Sequence, residues 1–398
     1  MGRRGILYIG FALSISAVAY FVTQKIRYSD PHLIAQKLLA HADIEINGTR
    51  PWDIIVHNDQ LYARVLSQGS LGLGESYMDE WWDSPALDQF FFKLLRADVA
   101  QYIPYNLNTF FTYLKAKILN LQSKSRAFQV GQYHYDLGDD LFSAMLDDNM
   151  QYSCAYWSYA ADLDSAQEAK LDLICKKLYL RPGMTLLDIG CGWGGLARYA
   201  ATHYGVSVVG ITISKEQAYF AQNFTKNLPI QIRLQDYRDT HEQFDRIASV
   251  GMFEHVGYKN YRIFAQTARK LLKDDGLMLL HTIGGNVSQN RGDEWMDKYI
   301  FTNGMLPSIA QIGKSIEGLF VMEDWHNFGA DYDKTLMAWY HNFQKNWPRL
   351  KTKYGDRFYR MWSYYLLACA GLFRARNIQL WQIVLSKQGV LGGYQSVR

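Results

Sequence analysis

An apolar strand that empties into alternating glycines constrains this chain more than any other feature. The run is Leu186-Leu187-Asp188-Ile189-Gly190-Cys191-Gly192-Trp193-Gly194-Gly195. Glycine can take positive φ in a tight turn and leaves no Cβ between main chain and ligand, so such a run brings bare backbone against a nucleotide-like molecule. A helix is expected to begin near Gly195, its free N–H groups making a polar docking end. The second strand selects the ligand. A nicotinamide-binding chain would end that strand, about twenty residues on, in an acidic residue that holds the ribose hydroxyls. Here the second strand, expected over 206–213, runs into Gly210-Ile211-Thr212-Ile213-Ser214-Lys215-Glu216-Gln217, with no carboxylate at its tip. That counts against NAD and favours S-adenosylmethionine, with Thr212, Ser214 and Gln217 offering hydroxyl and amide partners.

From about residue 164 the pattern alternates between strand and helix. Strands are expected over 185–189, 206–213, 230–234, 246–250 and 277–282, with helices over 165–178, 196–204, 215–227 and 261–272. Such alternation implies an α/β fold, a parallel sheet wrapped by right-handed crossovers. Later strands over 320–325 and 380–385 would add an antiparallel edge pair and complete the seven-stranded, Rossmann-like sheet of a class I methyltransferase. Upstream, a helix over 32–42 precedes short strands and turns through Asn47-Gly48, Asn58-Asp59 and Gly69-Ser70-Leu71-Gly72-Leu73-Gly74. An amphipathic helix near 87–95 then closes a small mixed α+β unit. The organisation reads as an apolar segment (1–28), a small N-terminal lipid- or membrane-binding domain (29–120), a connector (121–131) and a catalytic domain (132–398).

The 398 residues suffice for two domains, and a net charge of +4 is too mild for a nucleic-acid partner. Charge placement says more. No acidic residue lies between Asp98 and Asp136, while Lys115, Lys117, Lys124 and Arg126 cluster in a partly apolar stretch. This suits either an anionic membrane surface or a solvated linker helix. Residues 5–24 carry no charge and are long enough to span a bilayer. A signal peptide competes with that reading, but export would separate the chain from a cytosolic cofactor. An uncleaved anchor is therefore preferred, with the body on the cytoplasmic face of the inner membrane, peripheral or anchored by 5–24. Arg3 and Arg4 nearly balance Lys25, Arg27 and Lys37, so the segment could equally lie in the interface. Cys154, Cys175, Cys191 and Cys369 show no C-x-x-C spacing, which suggests no zinc site and no disulfide framework and fits a reducing compartment.

Five stretches resemble one family. They are Gly69-Ser70-Leu71-Gly72-Leu73-Gly74-Glu75-Ser76-Tyr77-Met78, Met150-Gln151-Tyr152-Ser153-Cys154-Ala155-Tyr156-Trp157, Asp188 to Gly195, Val250-Gly251-Met252-Phe253-Glu254-His255-Val256 and Asn327-Phe328-Gly329-Ala330-Asp331-Tyr332. The likeness, from about residue 30 to near the C-terminus, is to the cyclopropane fatty acyl phospholipid synthases; the apolar N-terminus departs from the family. The resemblance implies that a cis double bond in a phospholipid acyl chain becomes a cyclopropane, built with the methyl carbon of S-adenosylmethionine. It also suggests a homodimer. For the cofactor it implies Tyr152 and Ser153 at the methionine end, and Gly190, Gly192 and Gly194, in the run that holds Asp188, as the main-chain cradle. Thr212 and Gln217 fall to the ribose, and Asp236 and Tyr237 to the adenine.

An alkene is a poor nucleophile, so methyl transfer to it creates a carbocation that must survive until a proton leaves. The pocket must be dry and hold negative or π-rich groups. Tyr152, Tyr156, Trp157, Phe253 and Tyr332 are candidates for aromatic faces, with core packing the competing role. A carboxylate beside the cation risks alkylation, so a bound, replaceable base is safer. The resemblance implies bicarbonate, held by the backbone at Cys154 and Ile283 and the side chains of Glu254, His281 and Tyr332. Glu254 and His281 fall at the carboxyl ends of neighbouring expected strands, the edge where open α/β sheets bind ligands. Cys369 matches a family cysteine regarded as catalytic, yet Leu366-Leu367-Ala368 suggests a buried helix in which a thiol is inert. The alternatives are a methyltransferase that stops at a methyl branch or uses another small acceptor, and a membrane-bound lipid carrier without catalysis.

Overall fold

The structure, a computed structural model, describes residues 30–98 and 138–398. The apolar segment 5–24, the basic stretch around 113–126 and the connector 121–131 lie outside the described residues. Among the described residues no helix is long and apolar enough to cross a membrane.

Helix α1 (Pro31–His41) starts at Asp30, whose side chain accepts from the His32 N–H. Helix α2 (Gln60–Met78) and helix α3 (Leu87–Arg96) come next; Ile55–Val56, just before α2, pairs antiparallel with Trp82–Asp83, which lies between the two helices. The Gly69–Gly74 stretch, expected as a turn, lies inside α2. Only Gly69 leaves helical geometry, at φ 58 and ψ −133. Close tertiary approach explains Gly74 in place of turn chemistry: a Cβ there would come within 2.3 Å of the Trp295 ring.

Helix α4 (Asp139–Met145) and helix α5 (Leu163–Lys177) lead into the sheet. Its strands are β1 (Thr185–Ile189), β2 (Ser207–Thr212), β3 (Ile230–Leu234), β4 (Phe244–Val250), β5 (Leu272–Gly285), β6 (Val321–Asn327) and β7 (Ile378–Ser386). They are ordered β3-β2-β1-β4-β5-β7-β6, with β7 antiparallel to both neighbours, so the expected seven-stranded sheet with its antiparallel edge pair is present. Strand β5 begins earlier than expected because Leu272 already pairs with Phe244. The polar residues after Leu272 are absorbed by a register shift before Leu277 meets Arg246. Helix α6 (Gly195–Tyr204), α7 (Lys215–Phe224) and α8 (Tyr261–Leu271) form the crossovers. Short α9 (Glu294–Tyr299) and α10 (Ile309–Ile316) precede the long α11 (Ala330–Tyr354) and α12 (Asp356–Arg374).

The abundance of aromatic residues goes largely into one core. Trp82, Trp295, Trp339 and Trp362 are fully buried where α11 and α12 meet α2, α3 and α4. Arg374 clamps this junction, its guanidinium bonded to Asp333 at 2.8 Å and to Asp88 at 2.6 Å. Glu75 of α2 accepts from Arg64 at 2.7 Å and from the Tyr299 hydroxyl at 2.8 Å, which ties the N-terminal helices to the loop region after β5.

Gly74→Ala tests this docking. Helix propensity alone would make it stabilising by about 1 kcal/mol, but the clash with Trp295 should instead destabilise by roughly 1–3 kcal/mol. Urea denaturation midpoints distinguish the two signs.

Candidate active site

The carboxyl edge of the sheet opens into a cleft at the end of β1. Of the residues expected to hold the cofactor, Tyr152, Ser153, Asp188, Gly190, Gly192, Thr212, Ser214, Gln217, Asp236 and Tyr237 all line it. Gly192, at φ 55, has open space where a Cβ would point. Gly194 does not line the cleft, and its absent Cβ would face Ala221 and Thr225 at 3.2 and 3.1 Å. Its left-handed φ of 88 at the N-cap of α6 is what requires glycine there, with α7 packed close against the turn. Gly195 was expected only as a helix start, yet a Cβ there would collide with the Asn149 carbonyl oxygen at 2.0 Å.

The polar partners at the end of β2 and the start of α7 serve the fold as well as the cleft. Ser214 caps α7, accepting from the Gln217 N–H, and Thr212 Oγ1 donates to Gln217 Oε1 at 3.0 Å. Asp236 is engaged by Arg238, which donates from Nε at 2.7 Å and Nη2 at 2.6 Å. Tyr237 packs edge-on against Phe264, and burial raises its phenol to about 12.

Beneath the cleft lie ionisable groups in the dry interior. Asp188 is buried with no hydrogen-bond partner on Oδ2. Burial lifts its carboxyl to about 7, against the pull of Lys170. Lys170 itself is fully buried, and burial lowers its ammonium to about 8. It donates to Gln151 Oε1 at 2.6 Å and to Ser153 Oγ at 2.8 Å. Gln167 Nε2 adds a bond to the Ser153 carbonyl at 2.9 Å. Two residues of α5 thus pin the segment that carries Tyr152, Ser153 and Cys154.

Glu254 lies just past β4 in a short 3-10 turn, and its Oε1 accepts from the Ile283 N–H at 2.7 Å. Burial raises this carboxyl to about 7, and Oε2 has no partner. His281 sits on β5, paired across the sheet with Val250 and with Gln382. Its Nδ1 lies 3.3 Å from Gln382 Nε2, and its buried Nε2 has no partner. Burial, with Lys170 and Lys177 adding to it, holds the imidazole well below its usual range and therefore neutral. Tyr332, in the first turn of α11, packs on Phe373 at 4.5 Å and Trp339 at 5.9 Å. Burial pushes its phenol up, and Cys154, Glu254, Tyr152 and Cys369 are close enough to add to that. Of the expected second group, Glu254, His281 and Ile283 lie at the ends of β4 and β5, while Tyr332 of α11 and Cys154 of the segment before α5 come close to one another, with Glu254 near Tyr332; none of the five lines the cleft.

The cysteines behave as apolar fillers. Cys154 is fully buried with its thiol on the Ala155 carbonyl at 3.2 Å. Cys369, in α12, is partly buried, and burial pushes its thiol up to about 12. A thiol held protonated in this way is a poor nucleophile. Among the aromatic candidates, Tyr152 stacks near Trp339 and shares a 2.8 Å bond with the Tyr365 hydroxyl. Trp157 Nε1 donates to Thr335 at 2.9 Å, and Tyr156 meets Phe328 edge-on. Phe253 does not join them. It stacks on Tyr261 at 4.3 Å in the core between sheet and α8, so its role is packing.

The sequence alone does not single out Lys170, Gln151 or Gln382. One signal for Lys170 exists: with Leu163, Ala166, Gln167, Leu171 and Ile174 it shares the buried face of α5. A lysine on such a face needs partners. Among the described residues no group of histidine, cysteine or acidic side chains could hold a metal.

Comparison with known proteins identifies relatives of this chain. Residues 122–383 match the family described as mycolic acid cyclopropane synthetase. The cyclopropane-fatty-acyl-phospholipid synthase of Escherichia coli strain K12 is 58% identical over 365 residues, covering 92% of this chain and 95% of that protein. The cyclopropane synthase MmaA2 from Mycobacterium tuberculosis superposes with a TM-score of 0.62 at 35% identity, over 65% of this chain and 98% of that one. The mycolic acid cyclopropane synthase CmaA1, solved with SAH and CTAB, gives 0.62 at 37% identity, over 65% and 98%.

Lys170→Met removes two bonds made by a charged donor, each worth about 1.5–3 kcal/mol. Titration calorimetry with S-adenosylhomocysteine should show affinity weakened at least about tenfold, while wild-type affinity in the variant would refute the pinning of 151–153.

Proposed function

The chain belongs to the mycolic acid cyclopropane synthetase family, and on that premise we propose that it transfers the methyl carbon of S-adenosylmethionine to the cis double bond of unsaturated acyl chains in membrane phospholipids. The products are a cyclopropane-bearing phospholipid and S-adenosylhomocysteine. The observation that carries the reading is a pair of orphaned buried atoms, Glu254 Oε2 and His281 Nε2, on one sheet edge beside the glycine-lined cleft.

Methyl transfer to the alkene leaves a positive charge on the acyl chain. Tyr152 lines the cleft, and behind it Trp339, Tyr332 and the Tyr365 hydroxyl form a buried aromatic cluster, a dry and π-rich surrounding that suits such a charge. A desolvated aromatic face contributes about 2 kcal/mol to a nearby cation. A proton must then leave the transferred carbon. Two buried polar atoms without protein partners, one an acceptor and one on a neutral imidazole, fit a small polar anion, and burying them empty costs free energy. In this reading Glu254, His281, Tyr332 and the backbone at Cys154 and Ile283 hold bicarbonate, which would supply a base that exchanges with solvent after each turnover. Tyr332 donates a hydrogen bond from its hydroxyl to the anion and keeps its proton, while the anion takes the proton from the transferred carbon and Glu254, ionised, accepts the hydroxyl hydrogen of the anion through Oε2. Cys369 has no step to perform. The bilayer is met by peripheral contact or through residues 5–24.

Lipid mass spectrometry on cells expressing the protein should show monounsaturated phospholipids gaining one CH2 unit with loss of the double bond. A ring and not a methyl branch is expected by nuclear magnetic resonance of the product. Glu254→Gln should lower turnover by about 10²–10⁴. Because the carboxylate is the working form and burial raises it to about 7, wild-type turnover should fall as pH drops below neutrality. A Gln variant with wild-type turnover would remove Glu254 from the mechanism.

A further inference from the structure

Gln382 is a fully buried amide that reaches the imidazole of His281. It lies on β7 directly across the ladder from His281 on β5, and on its other side it pairs with His326 of β6. Its side chain has no exposure to solvent. Apart from its Nε2, 3.3 Å from His281 Nδ1, the amide has an oxygen without a partner. A long polar side chain in the middle of a sheet costs free energy unless its hydrogen bonds are made. An apolar residue would fill the position better, so the contact with His281 is what distinguishes glutamine here.

With the amide oriented so that its nitrogen faces the ring, the chemistry of that contact has one solution. An amide NH2 can only donate, so Nδ1 must be the acceptor, and a neutral imidazole then carries its single proton on Nε2. Turning the amide over would satisfy its oxygen but leave both N–H donors buried without partners, where the observed orientation leaves one N–H and the carbonyl oxygen, and orphaned donors are the less tolerated of the two. The His281 ring is kept neutral by burial and by Lys170 and Lys177, so a tautomer is defined.

We propose that Gln382 is a positioning residue that fixes His281 as the Nε2–H tautomer, so that the ring presents a donor to an anion at the sheet edge. This rests on the anion-holding role of His281, Glu254 and Tyr332 proposed for the reaction. With the opposite tautomer, Nε2 would turn a lone pair toward the anion, and attraction would become repulsion. Gln382 does not touch substrate; it acts through the ring.

Full-length protein labelled with heavy-nitrogen histidine tests this, with the His281 signals assigned by their loss in His281→Asn. The expected wild-type spectrum shows a protonated Nε2 and an unprotonated Nδ1. In Gln382→Glu the new carboxylate accepts from Nδ1, so the proton should move to Nδ1. Turnover should then fall between about tenfold and a hundredfold, as when the partner that orients a functional imidazole is lost, with KM for S-adenosylmethionine unchanged. Gln382→Leu should lose turnover without imposing either tautomer. A wild-type proton on Nδ1, or a Glu variant whose tautomer does not change, would overturn the inference. A tautomer that reverses while turnover stays at the wild-type level would leave the inference standing and remove the anion-holding role of His281.

Discussion

Burial of ionisable groups along the carboxyl edge of the sheet is the constraint on which the rest depends. Lys170, Asp188, Glu254 and His281 are all shut away from water, and each is moved towards its neutral form by that burial. Taking a charge into a low-dielectric interior is expensive, and a folded chain retains such groups only where partners or a ligand compensate. Lys170 finds compensation in Gln151 and Ser153. Glu254 finds half of it in the Ile283 amide. Glu254 Oε2 and His281 Nε2 remain unmet, on one sheet edge beside the cofactor cleft. The geometry therefore places a few unsatisfied polar atoms in the buried interior next to the cleft, and buried, unsatisfied polar atoms are what a carbocation route requires.

The N-terminal helices contribute to that dryness. They share one aromatic core with α11 and α12, and α11 also supplies Tyr332 and Trp339. Arg374, bonded to both Asp88 and Asp333, links the N-terminal unit to the helix that carries Tyr332. The Gly74–Trp295 contact joins this core directly, since Trp295 packs on Tyr364 of α12 at 4.5 Å.

Much of the site is legible in the sequence because strand ends and glycine turns are local signals. The run from Leu186 to Gly195 marks the cleft, and the expected strands carrying His281 and preceding Glu254 are close enough to the observed ones to bring the two residues to one edge. Other features are invisible because they depend on tertiary contact. The glycines in α2 look like turn residues until Trp295 is seen against Gly74. Gly194 belongs to the motif yet packs on α7. Phe253 adjoins Glu254 in sequence but faces the opposite core, as neighbouring residues in a tight turn often must. Gln382 gives no signal at all, since its meaning comes from a strand 101 residues away in the chain.

The central claim is that a small anion captured at Glu254, His281 and Tyr332 takes the proton. The most direct measurement is ring formation by the purified full-length protein on unsaturated phospholipid vesicles with S-adenosylmethionine, in buffer stripped of carbon dioxide and then resupplied with bicarbonate. The expected result is a rate lowered at least about tenfold on depletion and restored in proportion to the bicarbonate returned. A rate indifferent to bicarbonate over the whole range would contradict the claim.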